Sequence, residues 1–339
     1  MSFKIQILPG ERAFEANPNE TLLDAALRQG IDLPHGCRNG RCGSCIVKLQ
    51  RGDISYPSGL IEALEGKPAG TCLTCQAVAH SDLAIEIPPR QRASEIEVRT
   101  LPCRLERKEP LNQEVMRLWL KPPEQQPFEF LAGQYLSLLL PDGREGAYSI
   151  ASPPHEKALI ELHIRRAPES DFARFLCDGL AERSILSIRG PLGSAHLRED
   201  SERPLILVGG GTGFAPLKSL IEHAIHIGLA RPIELYWGVK ARRDLYLADR
   251  PARWTDQLDD FRFTPVLSDP DPDWSGRIGL VHEAVIEDHP DLGGFAIYLS
   301  GPPAMAKAAR AAFASRGAER DQMFSDAFTG GSDDDWGGI

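Results

Sequence analysis

Five of the seven cysteines fall between positions 37 and 75, and three of them are spaced Cys37-x4-Cys42-x2-Cys45. Nothing else in the sequence limits the fold as tightly. The run His35-Gly-Cys37-Arg-Asn-Gly40-Arg-Cys42-Gly-Ser-Cys45 gathers three thiols in one loop, and a fourth follows at Cys72 or Cys75. In a reducing compartment, clustered thiols of odd total number point to metal ligation before disulfides. Three thiolates from a loop and one from elsewhere can hold two bridged irons. Glycines between the ligands let backbone N–H groups turn towards the sulfurs, which offsets the charge of such a cluster. A zinc ribbon is the other reading, with Cys42-x2-Cys45 and Cys72-x2-Cys75 as a tetrahedral four-thiolate site. It leaves Cys37 and the glycines without a role. Cys103 and Cys177 carry no partner pattern and read as small core residues.

Composition sets the outer limits. Acidic residues outnumber basic ones 48 to 38 in 339 residues, a formal charge of −10. With no basic block, nucleic acid is not an expected partner, since Lys and Arg on phosphates carry that affinity. No run approaches 18 uninterrupted apolar residues, so no membrane-spanning helix is expected. The start, Met1-Ser2-Phe3-Lys4, lacks the layout of a secretory signal, and a cytoplasmic location is expected. The length suggests two or three domains.

Around the cysteines the pattern is that of a small mixed unit. Residues 3–8 alternate as a strand, Pro9-Gly10 turns, and 12–16 return. Thr21-Leu-Leu-Asp24 opens a short helix that Gly30 closes. Strands are expected at 46–49 and 83–87. The loop Cys37-Arg-x-Gly40-x-Cys42-Gly-x-Cys45 resembles that of the plant-type 2Fe-2S ferredoxins, over about residues 1–89. The resemblance implies a β-grasp fold. Through Leu73-Thr-Cys75-Gln-Ala77 and Ser81-Asp-Leu83 it also implies the ligand set Cys37, Cys42, Cys45 and Cys75, with Cys72 a spare thiol.

Residues 90–98 read as a polar linker. Beyond it, apolar runs at 114–120, 134–140, 147–151, 159–165 and 185–189 are separated by turn signals such as Pro141-Asp-Gly143, the pattern of a small antiparallel barrel. One helix is expected near 171–180. Tyr148-Ser149-Ile-Ala-Ser152 resembles the Arg-x-Tyr-Ser flavin motif of the ferredoxin–NADP reductase superfamily. The resemblance implies FAD, with FMN also open. It places Tyr148 on the isoalloxazine, Ser149 near the reactive nitrogen, and the strand His163-Ile164-Arg165 along the ring and ribityl chain. The sequence departs from the family at the phosphate end. The motif Arg falls on Gly146, and the usual Gly-Gly step and Ser fall on Glu169, Ser170 and Ala173. Arg144 is the substitute cation. Glu169 sets negative charge where a phosphate is expected, a repulsion of about 1 kcal/mol in partial solvent.

The last third begins with the apolar run Pro204–Val208, then Gly209-Gly-Gly-Thr-Gly213-Phe-Ala-Pro216 and an amphipathic helix at 217–227. Strand, glycine loop and helix make a receptacle for a pyrophosphate. Strands at 233–239, 261–267 and 295–300 alternate with helices near 250–258, 281–288 and 303–314, which predicts a parallel sheet with helices on both faces. Gly210-Gly-Thr212-Gly213, Tyr236-Trp-Gly238, Asp244-Leu-Tyr246 and Ser300-Gly301-Pro302-Pro-Ala-Met305 resemble the same superfamily. They imply a nicotinamide site at Gly210, Thr212, Gly213, Ser300, Gly301 and Pro302, with Ser300 where relatives carry Cys. Lys240, Arg242 and Arg243 follow the second strand, and NADH and NADPH both stay open. Phe324-Ser-Asp326-Ala-Phe328 resembles the family's C-terminal segment, with Phe328 the aromatic that approaches the flavin. Residues 330–339, glycine-rich and acidic, read as a disordered tail.

The expected chain is multidomain α+β and α/β. A β-grasp 2Fe-2S ferredoxin domain (1–89) and a linker (90–98) lead to an antiparallel flavin-binding β-barrel (99–198). A parallel-sheet NAD(P)-binding domain (199–329) follows. That order resembles the reductase components of multicomponent oxygenases and the CDP-6-deoxy-glucoseen reductases. It implies that electrons pass from NAD(P)H through FAD and the cluster to an acceptor protein, such as an oxygenase or a deoxysugar dehydratase. No acid–base dyad or nucleophile is expected. The rival expectations are a flavin-free 2Fe-2S carrier or adaptor with a degenerate flavin site, and a zinc-stapled interaction protein.

Overall fold

The computed structural model describes residues 2–326 except Pro9, Glu11, Asp32, Gly36, Cys37, Cys42, Ser44, residues 88–95 and Pro168. The chain divides into two compact units, Met1–Arg99 with Gly190–Ser194, and Thr100–Arg189 with Ala195–Ile339.

The first unit holds β1 (Phe3–Leu8), β2 (Ala13–Ala16), α1 (Leu22–Arg28), β3 (Ile46–Arg51), β4 (Ile54–Ser55), β5 (Thr71–Leu73), β6 (Val78–Ala79) and β7 (Leu83–Glu86). Five strands form one sheet in the order β2-β1-β7-β3-β5, while β4 and β6 make a separate ribbon. Only β1 and β7 run parallel among the paired strands of that sheet. Helix α1 starts where the sequence predicts: the Thr21 hydroxyl accepts the Asp24 amide at 3.2 Å, satisfying one of the free N–H groups of the first turn. Its buried face, Leu22, Leu23, Ala25 and Ala26, packs in one core with Ile5, Phe14, Val47 and Ile85. This is the β-grasp arrangement.

The second unit contains two sheets. The first is built from β8 (Arg99–Pro110), β9 (Val115–Lys121), β10 (Tyr135–Leu139), β11 (Glu145–Ser149), β12 (Ile160–Arg165) and β13 (Ile185–Leu192), with α2 (Asp171–Arg174) running into a π turn at Phe175–Gly179. The order is β11-β10-β13-β8-β9-β12. The end strands meet through an Ile150–Leu162 bridge and an Ala151 N–H bond to the Glu161 carbonyl at 2.8 Å, which curls the sheet into a barrel. Alternate residues of β8 and β9, among them Leu101, Cys103, Leu105, Met116, Leu118 and Leu120, fill its interior.

The second sheet comprises β14 (Leu205–Gly210), β15 (Ile233–Val239), β16 (Phe261–Leu267), β17 (Arg277–Ile278), β18 (Ala296–Ser300) and β19 (Met323–Phe324), with α3 (Phe214–His226), α4 (Arg250–Thr255), α5 (Val281–Asp288) and α6 (Pro303–Ala314). Its strands are parallel in the order β17-β16-β15-β14-β18-β19. Along β14, Leu205 and Leu207 join one core while Ile206 and Val208 join the other, so the strand is buried on both faces and reads as a continuous apolar run. Helix α3 begins three residues before the expected 217, because Pro216 falls in the first turn, where a missing N–H costs nothing.

Candidate functional site

In the first unit the backbone takes left-handed turns at Arg38 (φ 57°), Gly40 (φ 80°) and Gly43 (φ 76°). A side chain at Gly40 is excluded twice over, since its Cβ would also lie 2.0 Å from the Leu60 carbonyl oxygen. Cys45 and Cys75 are both buried, and their sulfurs are 3.2 Å apart. Cys72 points elsewhere: it sits on β5 opposite Val47, fully buried beside the Tyr56 hydroxyl. Burial pushes its thiol up to about 12, against the thiolate form that a metal requires. The Gln76 amide donates to the Arg38 carbonyl at 2.9 Å and to Cys75 Sγ at 3.7 Å, and the Ser58 hydroxyl donates to its oxygen at 2.5 Å. Cys37 and Cys42 lie outside the described residues. The donors that are described, two adjacent buried sulfurs with an amide aimed at one of them, fit an iron–sulfur cluster.

In the barrel, Tyr148 and Ser149 end β11, and the Tyr148 ring stacks on Phe172 with centroids 6.2 Å apart. Phe172 also explains the missing motif arginine. A Cβ at Gly146 would lie 2.5 Å from its ring, so the phenyl group fills the space that an arginine stem would need. Arg144 forks onto Asp142 at 2.7 Å and lies over the Phe175 ring at 4.8 Å, which keeps its charge at the start of β11. Ser170 caps α2, its hydroxyl accepting the Ala173 amide at 3.2 Å. The side chain of His163 is fully buried and bonds Glu161 and Tyr246. Ile164 packs in the barrel core and Arg165 is exposed. The His163 ring is therefore fully engaged inside the second unit.

In the parallel sheet, Gly209 pairs with Ser300, so the loops after β14 and β18 lie side by side. They are packed as closely as glycine allows: a Cβ at Gly213 would fall 2.0 Å from the Ser300 carbonyl oxygen, and one at Gly210 would fall 2.5 Å from Met305 Sδ. The indole N–H of Trp237 holds the Gly211 carbonyl at 2.9 Å, and the same ring stacks on Phe214 at 3.9 Å. Thr212 is half-buried at the head of this loop. A glycine turn that opens a thirteen-residue helix fits a pyrophosphate. Arg242, in the basic run after β15, is paired with Asp273 at 3.2 Å and lies over Trp274.

The second unit has a cleft lined by Ser149 from the barrel and Ser300 from the parallel sheet, together with Gly133, Tyr298, Phe324 and Asp326. Phe324 and Asp326 are anchored there. The Asp326 carboxylate accepts the Ala195 amide at 3.2 Å, and Arg198 lies over the Phe324 ring at 4.8 Å. Phe328, the linker through residue 95 and the tail at 330–339 lie outside the described residues.

Three family models match successive parts of the sequence. They are the 2Fe-2S iron-sulfur cluster binding domain over residues 5–80, the oxidoreductase FAD-binding domain over 102–197, and the oxidoreductase NAD-binding domain over 207–311. Among curated proteins, the chain is 35% identical over 328 residues to the CDP-6-deoxy-L-threo-D-glycero-4-hexulose-3-dehydrase reductase of Yersinia pestis, covering 97% of this chain and 99% of that protein. The reductase component of propane 2-monooxygenase from Rhodococcus jostii is 34% identical over 337 residues, covering 96% and 91%. The chain belongs to the ferredoxin–NADP reductase superfamily, in the group with an N-terminal 2Fe-2S domain. Among solved structures, the cytochrome P450 reductase GcoB of Amycolatopsis matches with a TM-score of 0.77 at 33% identity, covering 96% of this chain and 98% of that one.

As a member of this group the protein is an NAD(P)H-dependent oxidoreductase with 2Fe-2S, FAD and NAD domains, which sets aside the zinc-stapled and flavin-free readings. Among the described residues, no helix is long and apolar enough to cross a membrane. Of the residues singled out from sequence, Ser149 and Ser300 come together, as do Cys45 and Cys75. Sequence reasoning assigned no role to Gln76 and Asp326, though both fall in quoted motifs, and missed Phe172 and the buried Lys218–Glu161 pair. Gln76 was within reach, since it adjoins a candidate ligand. The others are contacts across elements with no local signal.

Proposed function

We propose that this reductase draws on NADH or NADPH and delivers electrons singly to a separate acceptor protein, an oxygenase or a deoxysugar dehydratase. We propose for it the domain limits 1–89, 99–198 and 199–329, and a cytoplasmic location, the reducing compartment in which clustered thiols stay available to a metal. When bound, FAD supplies the conversion between a two-electron hydride donor and a one-electron acceptor, and the 2Fe-2S cluster supplies the outward path.

The chain's own residues bind and orient. Cys37, Cys42, Cys45 and Cys75 hold the irons, and the Gln76 amide steadies Cys75. Tyr148 backs the flavin ring, and the Ser149 hydroxyl bonds near its reactive nitrogen. The backbone of His163, Ile164 and Arg165 would run along the flavin, and Arg144 would be the cation for its phosphates. Amides of Gly210, Thr212 and Gly213 receive the dinucleotide pyrophosphate. Ser300, Gly301 and Pro302 hold the nicotinamide, the Ser300 hydroxyl bonding its carboxamide. Phe328, two residues beyond Asp326 in the sequence, would be the aromatic that approaches the flavin.

One observation carries this reading: serines from two different sheets, Ser149 and Ser300, line a single cleft. Residues offered from both sheets to one cleft are what holding a flavin and a nicotinamide side by side would require. The test is a visible spectrum of the purified protein together with two activities. Flavin and cluster bands are expected, with NAD(P)H-dependent reduction of both cytochrome c and a dye. Cys45→Ser should stop cytochrome c reduction and spare direct dye reduction by the flavin. A colourless protein with stoichiometric zinc, or a Cys45→Ser variant unchanged in both activities, ends the proposal.

A further inference from the structure

The most deeply buried charges of the second unit lie outside the cleft and have no part in the scheme above. Lys218, in α3 five residues beyond Gly213, is 2% exposed. All three of its ammonium protons are engaged, by the Ala151 carbonyl at 3.1 Å, Glu161 Oε2 at 2.9 Å and Glu222 Oε2 at 2.8 Å. Glu161 Oε1 accepts from His163 Nε2 at 2.9 Å, and His163 Nδ1 lies 3.1 Å from the Tyr246 hydroxyl. A carboxylate only accepts, so Nε2 carries the proton and the tyrosine donates to Nδ1. Burial keeps His163 neutral against the pull of Glu161. A second tie runs beside the first: the Ser219 hydroxyl donates to the Ser152 carbonyl at 2.8 Å, and Ser152 Oγ accepts the Glu161 amide at 3.0 Å.

These bonds join three places near the cleft. Ala151 and Ser152 lie two and three residues beyond Ser149. Lys218 and Ser219 lie in the helix that the glycine loop opens, and Gly213 of that loop is wedged against the Ser300 carbonyl. Tyr246 belongs to the segment after β15, whose Trp237 holds Gly211. A short path of fixed contacts thus runs from Ser149 through Ala151, Lys218 and Gly213 to Ser300. Cohesion alone would not call for it, because well-packed apolar residues usually do as well as a buried ion pair or better.

We propose that Lys218 is a positioning residue for hydride transfer, clamping the barrel's Ala151 and Glu161 to the glycine-loop helix and so fixing the separation of Ser149 from Ser300. This rests on the reading that those serines flank the reacting rings. The variants are Lys218→Met, and the triple Lys218→Met, Glu161→Gln, Glu222→Gln, which shifts the net charge by one unit but leaves no buried carboxylate stranded opposite the missing ammonium. Holoenzyme would be mixed anaerobically with NADH, protiated or deuterated at C4, and flavin bleaching followed per bound flavin. Reoxidation of dithionite-reduced enzyme by ferricyanide is the control. A misplacement of about 1 Å predicts a loss of roughly 10- to 100-fold in hydride transfer at saturating NADH, with a larger isotope effect on turnover, while NADH affinity and ferricyanide reoxidation stay within about twofold. If bleaching per bound flavin in the triple variant stays at the wild-type rate, whatever happens to flavin content or thermal stability, the proposal is overturned. If the wild-type enzyme is not bleached by NADH or NADPH at all, the functional reading itself fails, and the two failures are thereby separate.

Discussion

Gly213→Ala gives the sharpest test of how the nucleotide site is built. Gly213 has ordinary helical dihedrals (φ −58°, ψ −12°), so alanine suits the backbone and by itself would stabilise the chain by about 0.4–1 kcal/mol. The obstacle is space. The new Cβ would lie 2.0 Å from the Ser300 carbonyl oxygen, 2.4 Å from its carbon and 2.8 Å from the Gly301 amide, where real Cβ contacts begin near 3.0 Å. All three atoms are backbone, so the loops after β14 and β18 must part by about 1 Å. Overpacking of this kind costs roughly 1–3 kcal/mol, leaving a net loss of up to about 2.6 kcal/mol after the backbone gain. In a unit of this size that lowers Tm by up to roughly 10 °C. The functional effect is larger, because a 1 Å misplacement of the nicotinamide costs about 100-fold in hydride transfer. Flavin bleaching by NADH reports the second effect and thermal unfolding the first, while the cluster spectrum of the other unit stays unchanged. Gly211→Ala is the control: its φ of 53° strains alanine, but nothing lies within 4 Å of the added carbon, so stability falls without separating the loops. Wild-type bleaching in Gly213→Ala, or equal losses in the two variants, would refute the reasoning.

Cys75→Ala should abolish the visible bands of the cluster and Cys72→Ala should spare them, because Cys75 sits 3.2 Å from Cys45 while the Cys72 thiol is held protonated by burial beside Tyr56; equal iron contents would refute the assignment. Ser149→Ala is expected to slow flavin bleaching by roughly 10- to 100-fold with NADH affinity unchanged, and stopped-flow titration separates the two. Gly146→Arg, which restores the family motif, should weaken flavin retention and lower Tm, since Phe172 stands 2.5 Å from the new Cβ; retention of flavin through gel filtration measures it, and tighter binding would refute the packing account. Burial and the neighbouring Arg198 push His196 down to about 3 from 6.5. The unfolded chain then binds the proton first, so this contribution to stability is complete above pH 6.5 and is lost as pH falls towards 3. Thermal unfolding from pH 7 to pH 5 should show a shallower fall in His196→Asn than in the wild type, and equal slopes would exclude the assignment.

What the sequence shows clearly is written in consecutive residues. Thr21 and Asp24 announce α1 because both partners of the cap lie within one turn. The glycine loop announces β14 and α3 because a phosphate receptacle needs small residues at fixed spacing. Strand β8 is harder to see. Pro102 interrupts it, and Arg104, Glu106, Arg107, Lys108 and Glu109 give its second half the composition of a loop. Its inward residues Leu101, Cys103 and Leu105 are nonetheless fully committed to the barrel core. The charges are accommodated individually: Lys108, for instance, donates to the carbonyls of Cys177 and Leu180 at 2.8 and 2.7 Å, satisfying the end of the π turn. Such a partner is about seventy residues away in the chain, and no window of sequence contains both.

The same distinction explains why the phosphate end of the flavin site looks damaged in sequence. Taken one at a time, Gly146 for Arg and Glu169–Ser170 for Gly-Gly are losses of cation and of anion-binding backbone. In the fold they form one substitution. Phe172 lies over Gly146 and against Tyr148, and it can do so only because position 146 has no side chain. Phe172 is carried there by α2, which starts at the Ser170 cap, so the residue that replaces the second glycine is the one that sets the helix in place. Phe175, one turn further, faces Arg144. An aromatic ledge of Phe172 and Phe175 thus occupies this end of β11, with Arg144 lying over Phe175 and paired with Asp142. A single-position comparison registers three defects, whereas the packed structure contains one alternative solution, with Tyr148 and Ser149 left at the strand end where the reading of the cleft needs them.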